Sequence, residues 1–232
     1  MIYQFALCLL TAISVHLSLS PPNPPVKRQD CRTDTPGTNT LFEHGVQYVT
    51  FLSKASVWFF TCSNIIGTIS SQGLTLYPCA MSKDATEHNR GSIHPFLVVG
   101  MVLTCLSAIL RLWCYRTLGH LFTFEITIRP KHELVTYGPY AFVRHPSYTG
   151  VYLTLSGATL VLLAPDTWTV EHGIRTPIGA FLLFLWLLKC AFAFRGTATR
   201  LRSEDELLRA TFGEEWELYA KRVPYRLVPW VY

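Results

Sequence analysis

The chain has 232 residues, of which 50% are hydrophobic and only 15% are charged, and its mean hydropathy is +0.26. This composition excludes an ordinary soluble domain, because the apolar residues lie in long blocks rather than in the short periodic stripes of a soluble core. We therefore predict an all-α fold, a bundle of transmembrane helices with short loops.

The first apolar segment covers residues 2–20 and stops at the proline-rich run PPNPP. About 20 apolar residues span a bilayer, so this segment predicts a membrane helix. A cleaved secretory signal is the alternative, although no basic residue precedes the run and its end lacks a clean cleavage pattern. The stretch from Pro21 to Thr40 then predicts a polar linker.

Two further apolar segments cover about 46–69 and about 95–114, and each contains one basic residue. Arg111 lies near the end of its segment, so we expect its side chain to extend to the membrane interface. Lys54 lies deeper in its segment. It either pairs inside the bundle or indicates a tilted or misplaced helix.

The last apolar segments, about 147–164 and 177–194, flank the short sequence PDTWTVEHGIRT and predict an antiparallel helical hairpin. The total is about five spans, or four if the first segment is cleaved. Basic residues concentrate in the 116–145 loop and in the tail from Arg195 onward, which indicates that both face the cytosol. We expect a pocket for a soluble cosubstrate on that face.

These segments divide the chain into two predicted regions. Residues 1–114 hold the N-terminal membrane helices and their linkers, and residues 115–232 hold the hairpin, the polar loop before it and the tail. The seven cysteines are scattered without a CxxC pair, and no HExxH motif is present. We therefore predict no metal site, and we expect no nucleic-acid partner.

Two polar stretches, 122–150 and 199–229, are the candidates for chemistry. Prolines and glycines in the first predict an irregular backbone with amide groups available to a ligand. In the second, Arg200 and Glu204 lie one helical turn apart. Taken singly, these two residues also fit an ion pair on a solvated helix, and Arg144 with His145 also fits a basic anchor at the membrane surface.

Three sequences in these stretches carry a family resemblance: HELV at 132–135, GPYAFVRHPSYTG at 138–150, and RLRSEDELL…FGEEWELYAKRVP at 200–224. Together they resemble the C-terminal half of the isoprenylcysteine carboxyl methyltransferase family, over about residues 115–232. The resemblance implies methylation of the C-terminal carboxylate of a prenylated cysteine in CaaX-processed proteins or peptides. It also implies the cofactor S-adenosylmethionine, a farnesyl or geranylgeranyl acceptor, and the endoplasmic reticulum membrane as location.

The resemblance also implies roles for individual residues. Arg200 is expected to hold the acceptor carboxylate. The residues expected at the cofactor are Glu125, His132, Glu133, Leu134, Val135, Tyr140, His145, Pro146, Ser147, Tyr148 and Glu204. Glu125 stands where familiar relatives have glutamine, and the tail motif reads Glu204-Asp205 in place of two glutamates.

Three other functions remain as alternatives at this stage. Phospholipid N-methyltransferases share the cofactor and parts of the motif, but their acceptor nitrogen has no carboxylate for Arg200 to hold. The closing sequence VPYRLVPWVY is similar to the end of membrane sterol reductases, which implies NADPH. A membrane scaffold without activity is the third, and failure to bind S-adenosylmethionine is the observation that would identify it.

Overall fold

The computed structural model describes residues 2–24, 41–74, 93–124, 133–165 and 167–231, with side chains in the second range at Phe42 and from 45 to 70. Throughout these ranges the regular structure is helical and no strand occurs. The α-helices are α1 (Ile2–Ser18), α2 (Leu41–Leu74), α3 (Pro95–Leu118), α4 (Pro146–Leu162), α5 (Pro177–Phe212) and α6 (Glu214–Arg222).

Proline and capping residues fix where α3 and α5 begin. The His94 side chain accepts a hydrogen bond from the Phe96 N–H at 3.2 Å, and the Thr176 hydroxyl accepts one from the Gly179 N–H at 3.1 Å. A proline follows each cap, at the first helical position, where its missing N–H costs no helical bond. Each helix ends at a glycine with positive φ, Gly119 at 52° and Gly213 at 53°.

Three helical stretches of the described chain are long and apolar enough to cross a membrane: Gly45–Ser70, Pro95–Leu121 and Pro177–Phe212. α1 and α4 have 17 residues each, which is at the short end of the spanning range. The first half of α5 exposes large apolar side chains such as Phe181, Phe184 and Leu188, as expected of a lipid-facing helix. The protein is therefore an all-helical membrane protein over its described residues, and the count of five spans stays a prediction.

The closest neighbour of α4 is α3, a pairing that the sequence prediction did not include. α4 packs most extensively against α3. It also contacts α5 in antiparallel register through longer side chains, since Trp186 Nε1 donates to the Thr159 hydroxyl at 2.9 Å and the Tyr152 hydroxyl donates to the Phe194 carbonyl oxygen at 3.1 Å. A π-helical turn, Thr169–Ile174, lies between α4 and α5 in sequence and packs on α5 and α2. Glycines explain the choice of α3: a Cβ at Gly157 would lie 2.7 Å from the Gly100 carbonyl oxygen, and helix backbones approach this closely only at glycine.

We expect Gly157→Ala to destabilise the fold by about 2 kcal/mol, because the added methyl group pushes α4 away from α3. The measurement is the thermal unfolding midpoint of the detergent-solubilised protein. Gly45→Ala in α2 is the control, since a methyl group at Gly45 would meet no neighbouring atom within 4 Å. Equal midpoints for the two variants would contradict this account of α3–α4 packing.

The tail also differs from the sequence prediction. α5 continues without a break through 36 residues, so the last apolar segment and the predicted tail helix are one element. Its buried side chains pass from apolar to polar along the helix, from Trp186 and Ala193 to Arg200 and Asp205. The same helix therefore lines both the apolar core and the candidate site.

Candidate active site

One cavity brings most of the predicted residues together, between α2, α3, α4 and α5. Its polar part is lined by Arg111, Glu133, His145, Ser147, Tyr148, Arg200 and Glu204. Its apolar part is lined by Leu19, Phe42, Val46, Val49, Val151, Leu155 and Ala193, among others. The cavity thus joins charged groups to a hydrocarbon-like wall within the bundle.

The chain enters α4 through an irregular segment whose amides are already occupied. The Arg144 N–H donates to the Tyr225 carbonyl oxygen at 2.9 Å, and the His145 N–H donates to the Arg226 carbonyl oxygen at 2.8 Å. The Thr149 hydroxyl donates to the Leu227 carbonyl oxygen at 2.7 Å. The expectation that amides here are available to a ligand is therefore wrong at Arg144 and His145, because the C-terminal segment satisfies them.

Glu204 is the carboxylate at the centre of the polar part. Its Oε2 accepts a hydrogen bond from the Tyr148 hydroxyl at 2.8 Å and lies 3.6 Å from His145 Nδ1. The His145 and Tyr148 rings stack at 5.7 Å between centroids. The Glu204 side chain keeps 34% of its surface accessible, so the carboxylate is held in place while still available to a ligand.

Asp205, next to Glu204, turns away from the cavity and holds its wall. Its Oδ1 lies 2.8 Å from His145 Nε2, while its Oδ2 lies 3.1 Å from Arg144 Nη1 and 3.0 Å from Arg226 Nε. Only 7% of the Asp205 side chain is accessible. One buried carboxylate therefore connects α5 to the start of α4 and to the C-terminal segment.

Arg200 is buried on α5, one helical turn before Glu204. Its Nη2 donates to the Phe124 carbonyl oxygen. The guanidinium carbon lies 5.7 Å from the centre of the Phe42 ring and 5.9 Å from that of Tyr148. Aromatic faces on two sides attract the cation and restrain it beside the cavity.

Arg111 is fully buried, so the expectation that it extends to the membrane interface is wrong. Its Nε donates to the Ser18 carbonyl oxygen at 2.5 Å, and its Nη1 donates to the Ser147 carbonyl and hydroxyl oxygens at 2.9 and 3.0 Å. Its Nη2 donates to the Tyr115 hydroxyl at 2.6 Å. The guanidinium thereby ties the end of α1 and the start of α4 to α3.

Tyr140 and the residues before it form the remaining wall. The Tyr140 carbonyl oxygen accepts a hydrogen bond from the Tyr219 hydroxyl at 2.8 Å. Burial raises the pKa of both phenols above the ordinary value, so both stay neutral across the physiological range. Leu134 packs on the cluster that Tyr219 forms with Trp216 and Val223, so α6 supports this wall from behind.

The sequence of this chain is similar to those of known proteins. Residues 98–209 match the model of the isoprenylcysteine carboxyl methyltransferase family. A probable protein-S-isoprenylcysteine O-methyltransferase of Oryza sativa subsp. indica is 32% identical over 193 residues, which covers 78% of this chain and 87% of that protein. The chain belongs to the isoprenylcysteine carboxyl methyltransferase family.

A second relative agrees with this family membership. Protein-S-isoprenylcysteine O-methyltransferase B of Arabidopsis thaliana is 36% identical over 127 residues, covering 54% of this chain and 55% of that protein. A methyl donor is implied by the family. The matched region, residues 98–209, contains α4 and nearly all of α5, which together contribute His145, Tyr148, Arg200 and Glu204.

Within this family member, most of the residues predicted from sequence come together. Those that line the cavity are Glu133, Leu134, Val135, Tyr140, His145, Ser147, Tyr148, Arg200 and Glu204. Pro146 is the buried first residue of α4 and shapes the wall rather than lining it. Glu125 and His132 lie outside the described residues.

The sequence reasoning missed Arg111, Asp205 and the C-terminal segment around Arg226 as parts of the site. Asp205 carried a weak signal, since it is the second acidic residue of the tail motif. Arg226 carried none, because its partners are far away in sequence. The prediction for Arg111 failed because a basic residue near a helix end usually reaches solvent.

Proposed function

We propose that this protein transfers a methyl group from S-adenosylmethionine to the C-terminal carboxylate of a prenylated cysteine, in CaaX-processed proteins or peptides. The observation that carries the proposal is the cavity in which Arg200 and Glu204 lie at the polar end of an apolar pocket. An acceptor of this class has the same character, a carboxylate beside a long hydrocarbon chain. The two relatives are named as protein-S-isoprenylcysteine O-methyltransferases, which is this reaction.

The polar end of the cavity suits a cationic cofactor. The carboxylates of Glu133 and Glu204 line it, together with the aromatic rings of His145 and Tyr148. Carboxylates and aromatic faces both attract positive charge. S-adenosylmethionine supplies an electrophilic methyl group on a sulfonium, and we propose that Glu204 and Tyr148 help to bind it.

We propose that Arg200 binds the acceptor carboxylate. A guanidinium can hold one carboxylate oxygen through a charge-assisted hydrogen bond and leave the other oxygen to attack the methyl carbon. No general base is needed, because the carboxylate is already ionised at neutral pH. The residues around it therefore act by aligning the reacting atoms and by excluding water.

The remaining cofactor assignments follow the same proposal. Leu134, Val135 and Tyr140 line the cavity, as does Ser147, whose hydroxyl accepts a hydrogen bond from Arg111. His145 and Pro146 fix the position of this wall at the start of α4. Glu125 and His132 stay candidates on the resemblance alone.

We further propose that the protein resides in the endoplasmic reticulum membrane. The 116–145 loop and the tail from Arg195 are basic, which favours the cytosolic side. This orientation supplies the cavity with soluble cofactor from the cytosol and with prenylated acceptor from the bilayer. Residues 115–232 act as the catalytic region, and the helices of residues 1–114 complete its membrane core.

The decisive experiment measures methyl transfer from radiolabelled S-adenosylmethionine to N-acetyl-S-farnesylcysteine in membranes that contain this chain. We expect a base-labile methyl ester. An ethanolamine phospholipid acceptor is assayed in parallel. Label on the phospholipid would identify an N-methyltransferase, and no transfer to either acceptor would contradict the proposal and lead to a test of NADPH-dependent sterol reduction.

We expect Glu204→Gln to weaken S-adenosylmethionine binding by about tenfold or more, because a charge-assisted contact is replaced by a neutral one. Calorimetric titration of the purified protein with S-adenosylmethionine measures the change. Glu206→Gln is the matched control, since Glu206 is exposed on the same helix. Equal affinities in the two variants would remove Glu204 from the cofactor site.

A further inference from the structure

Two layers of contacts join α2 to α5 along the apolar wall of the cavity that these helices share with α4. In the first layer, the Arg200 guanidinium lies over the Phe42 ring at 5.7 Å. In the second, Lys189 Nζ donates a hydrogen bond to the Ser53 hydroxyl at 2.7 Å. Lys189 lies within a candidate membrane span, where an ionisable side chain is costly and usually has a function.

The separation of these layers is the same along both helices. Phe42 and Ser53 are eleven positions apart, and so are Lys189 and Arg200. At a helical rise of about 1.5 Å per residue, each interval is about 16 Å long. This length is comparable with that of an extended farnesyl chain, and a geranylgeranyl chain is one isoprene unit longer.

The walls of the cavity between the two layers are apolar. Val46, Val49, Leu155 and Ala193 contribute hydrocarbon surface. Two threonines also line this part, but each hydroxyl is used within its own helix. Thr50 donates to the Val46 carbonyl oxygen at 3.0 Å, and Thr197 donates to the Ala193 carbonyl oxygen at 2.8 Å. A hydrocarbon chain therefore meets no unsatisfied threonine donor along these walls.

The second layer lies at the deep end of the cavity, where Ser53 lines it and Lys189 does not. Ser53 is only 1% exposed, while the residues one turn deeper, Val57 on α2 and Ala158 on α4, belong to the main buried apolar cluster. Lys189 Nζ also lies 3.5 Å from the centre of the Trp186 ring. The ammonium group is thus held from two sides and bonded to Ser53, so a hydrocarbon chain that extends past Ser53 would have to displace it.

We infer that the Ser53–Lys189 pair ends the prenyl subsite and makes the protein select a farnesyl over a geranylgeranyl acceptor. This inference rests on the proposed carboxyl methyltransferase function and deepens it. The pair acts through length: a farnesyl chain fills the space between the layers, whereas the last isoprene unit of a geranylgeranyl chain meets the hydrogen-bonded ammonium group. At the other end, Arg200 binds the carboxylate of the acceptor. The length available to the prenyl chain therefore runs from Arg200 to the Ser53–Lys189 pair.

The test compares kcat/KM for the N-acetylcysteine thioethers of geranyl, farnesyl and geranylgeranyl. We expect the unmodified protein to prefer farnesyl over geranylgeranyl by about tenfold, since a pocket discriminates one surplus apolar group by about this factor or more. Lys189→Ala opens the end of the subsite and should remove most of this preference. Ser53→Leu shortens the subsite and should reduce kcat/KM for farnesyl about tenfold more than for geranyl.

Two exposed neighbours provide matched controls, Leu188→Ala on α5 and Leu52→Ala on α2, and neither should change the ratios. Binding of S-adenosylmethionine verifies that each variant is folded. If only one of Lys189→Ala and Ser53→Leu folds, that variant alone is sufficient to test the inference. Equal use of farnesyl and geranylgeranyl by the unmodified protein, or equal losses for all three acceptors in the variants, would overturn the inference. No methylation of any of the three by the unmodified protein would instead overturn the proposed function.

Discussion

Arg200→Ala is expected to lower kcat/KM for the farnesylcysteine acceptor by about 100-fold while leaving S-adenosylmethionine affinity unchanged. A hydrogen bond to a charged group contributes about 1.5–3 kcal/mol, and each 1.36 kcal/mol of barrier is about tenfold in rate. Loss of alignment adds to this, because the attacking oxygen is no longer held toward the methyl carbon. Initial-rate kinetics and calorimetric titration with the cofactor together measure the two quantities.

Two further variants separate the function of Arg200 from its place in the fold. Arg200→Lys keeps the charge but loses the planar fork, so it should recover only part of the activity. Arg202→Ala is the matched control, because Arg202 is exposed on the same helix and should behave as the unmodified protein. A loss of cofactor affinity in Arg200→Ala equal to that in Glu204→Gln would refute the division of roles between the two residues.

Hydropathy was sufficient to predict most helices. The block predicted at about 95–114 is α3, Pro95–Leu118, and the block at 2–20 is α1, Ile2–Ser18. The difference at the end of α3 arises because four more residues continue the helix to the cap at Gly119, and hydropathy does not detect caps. Likewise, the last apolar block ends at Phe194 because the residues of α5 become more polar there. The helix itself continues to Phe212.

The close pairing of α3 with α4 was not predictable from adjacency in sequence. The short connection between α4 and α5 indicated their antiparallel contact, which Thr159–Trp186 and Tyr152–Phe194 make. The closer contact between α3 and α4 depends on where small residues face each other. Small buried residues recur at helical spacing on both helices: Gly100, Thr104 and Ser107 on α3, and Thr154 and Gly157 on α4. This pattern of small residues is typical of close helix packing in membranes and was the available signal.

The candidate site was predictable where its residues are close in sequence. The family resemblance named Arg200 and Glu204, helical spacing placed them one turn apart on α5, and both line the cavity. The network around Asp205 was not predictable, because it joins residues that lie 60 positions apart, as in the contact with His145. Nothing local in the sequence specifies that Arg226 reaches back to α5, since this contact requires the C-terminal segment to pack on the start of α4.

Asp205→Ala is expected to destabilise the protein by about 3 kcal/mol or more, although Asp205 does not line the cavity. Removing one partner of a buried ion pair leaves the other charge buried without compensation, and Asp205 contacts three partners, His145, Arg144 and Arg226. The thermal unfolding midpoint in detergent measures the effect. Asp205→Asn retains an acceptor of the same shape and should lose less.

Substitution of Asp205 should also weaken cofactor binding, because Asp205 contacts His145. Without the Asp205 carboxylate at its Nε2, the imidazole is no longer fixed beside Glu204 and Tyr148, so we expect Asp205→Asn to weaken S-adenosylmethionine binding about tenfold even where the protein remains folded. Glu206→Gln again serves as the exposed control on α5. A lower midpoint with full cofactor affinity would restrict Asp205 to holding α4, α5 and the C-terminal segment together. An unchanged midpoint would show that Arg144, His145 and Arg226 are stabilised without it.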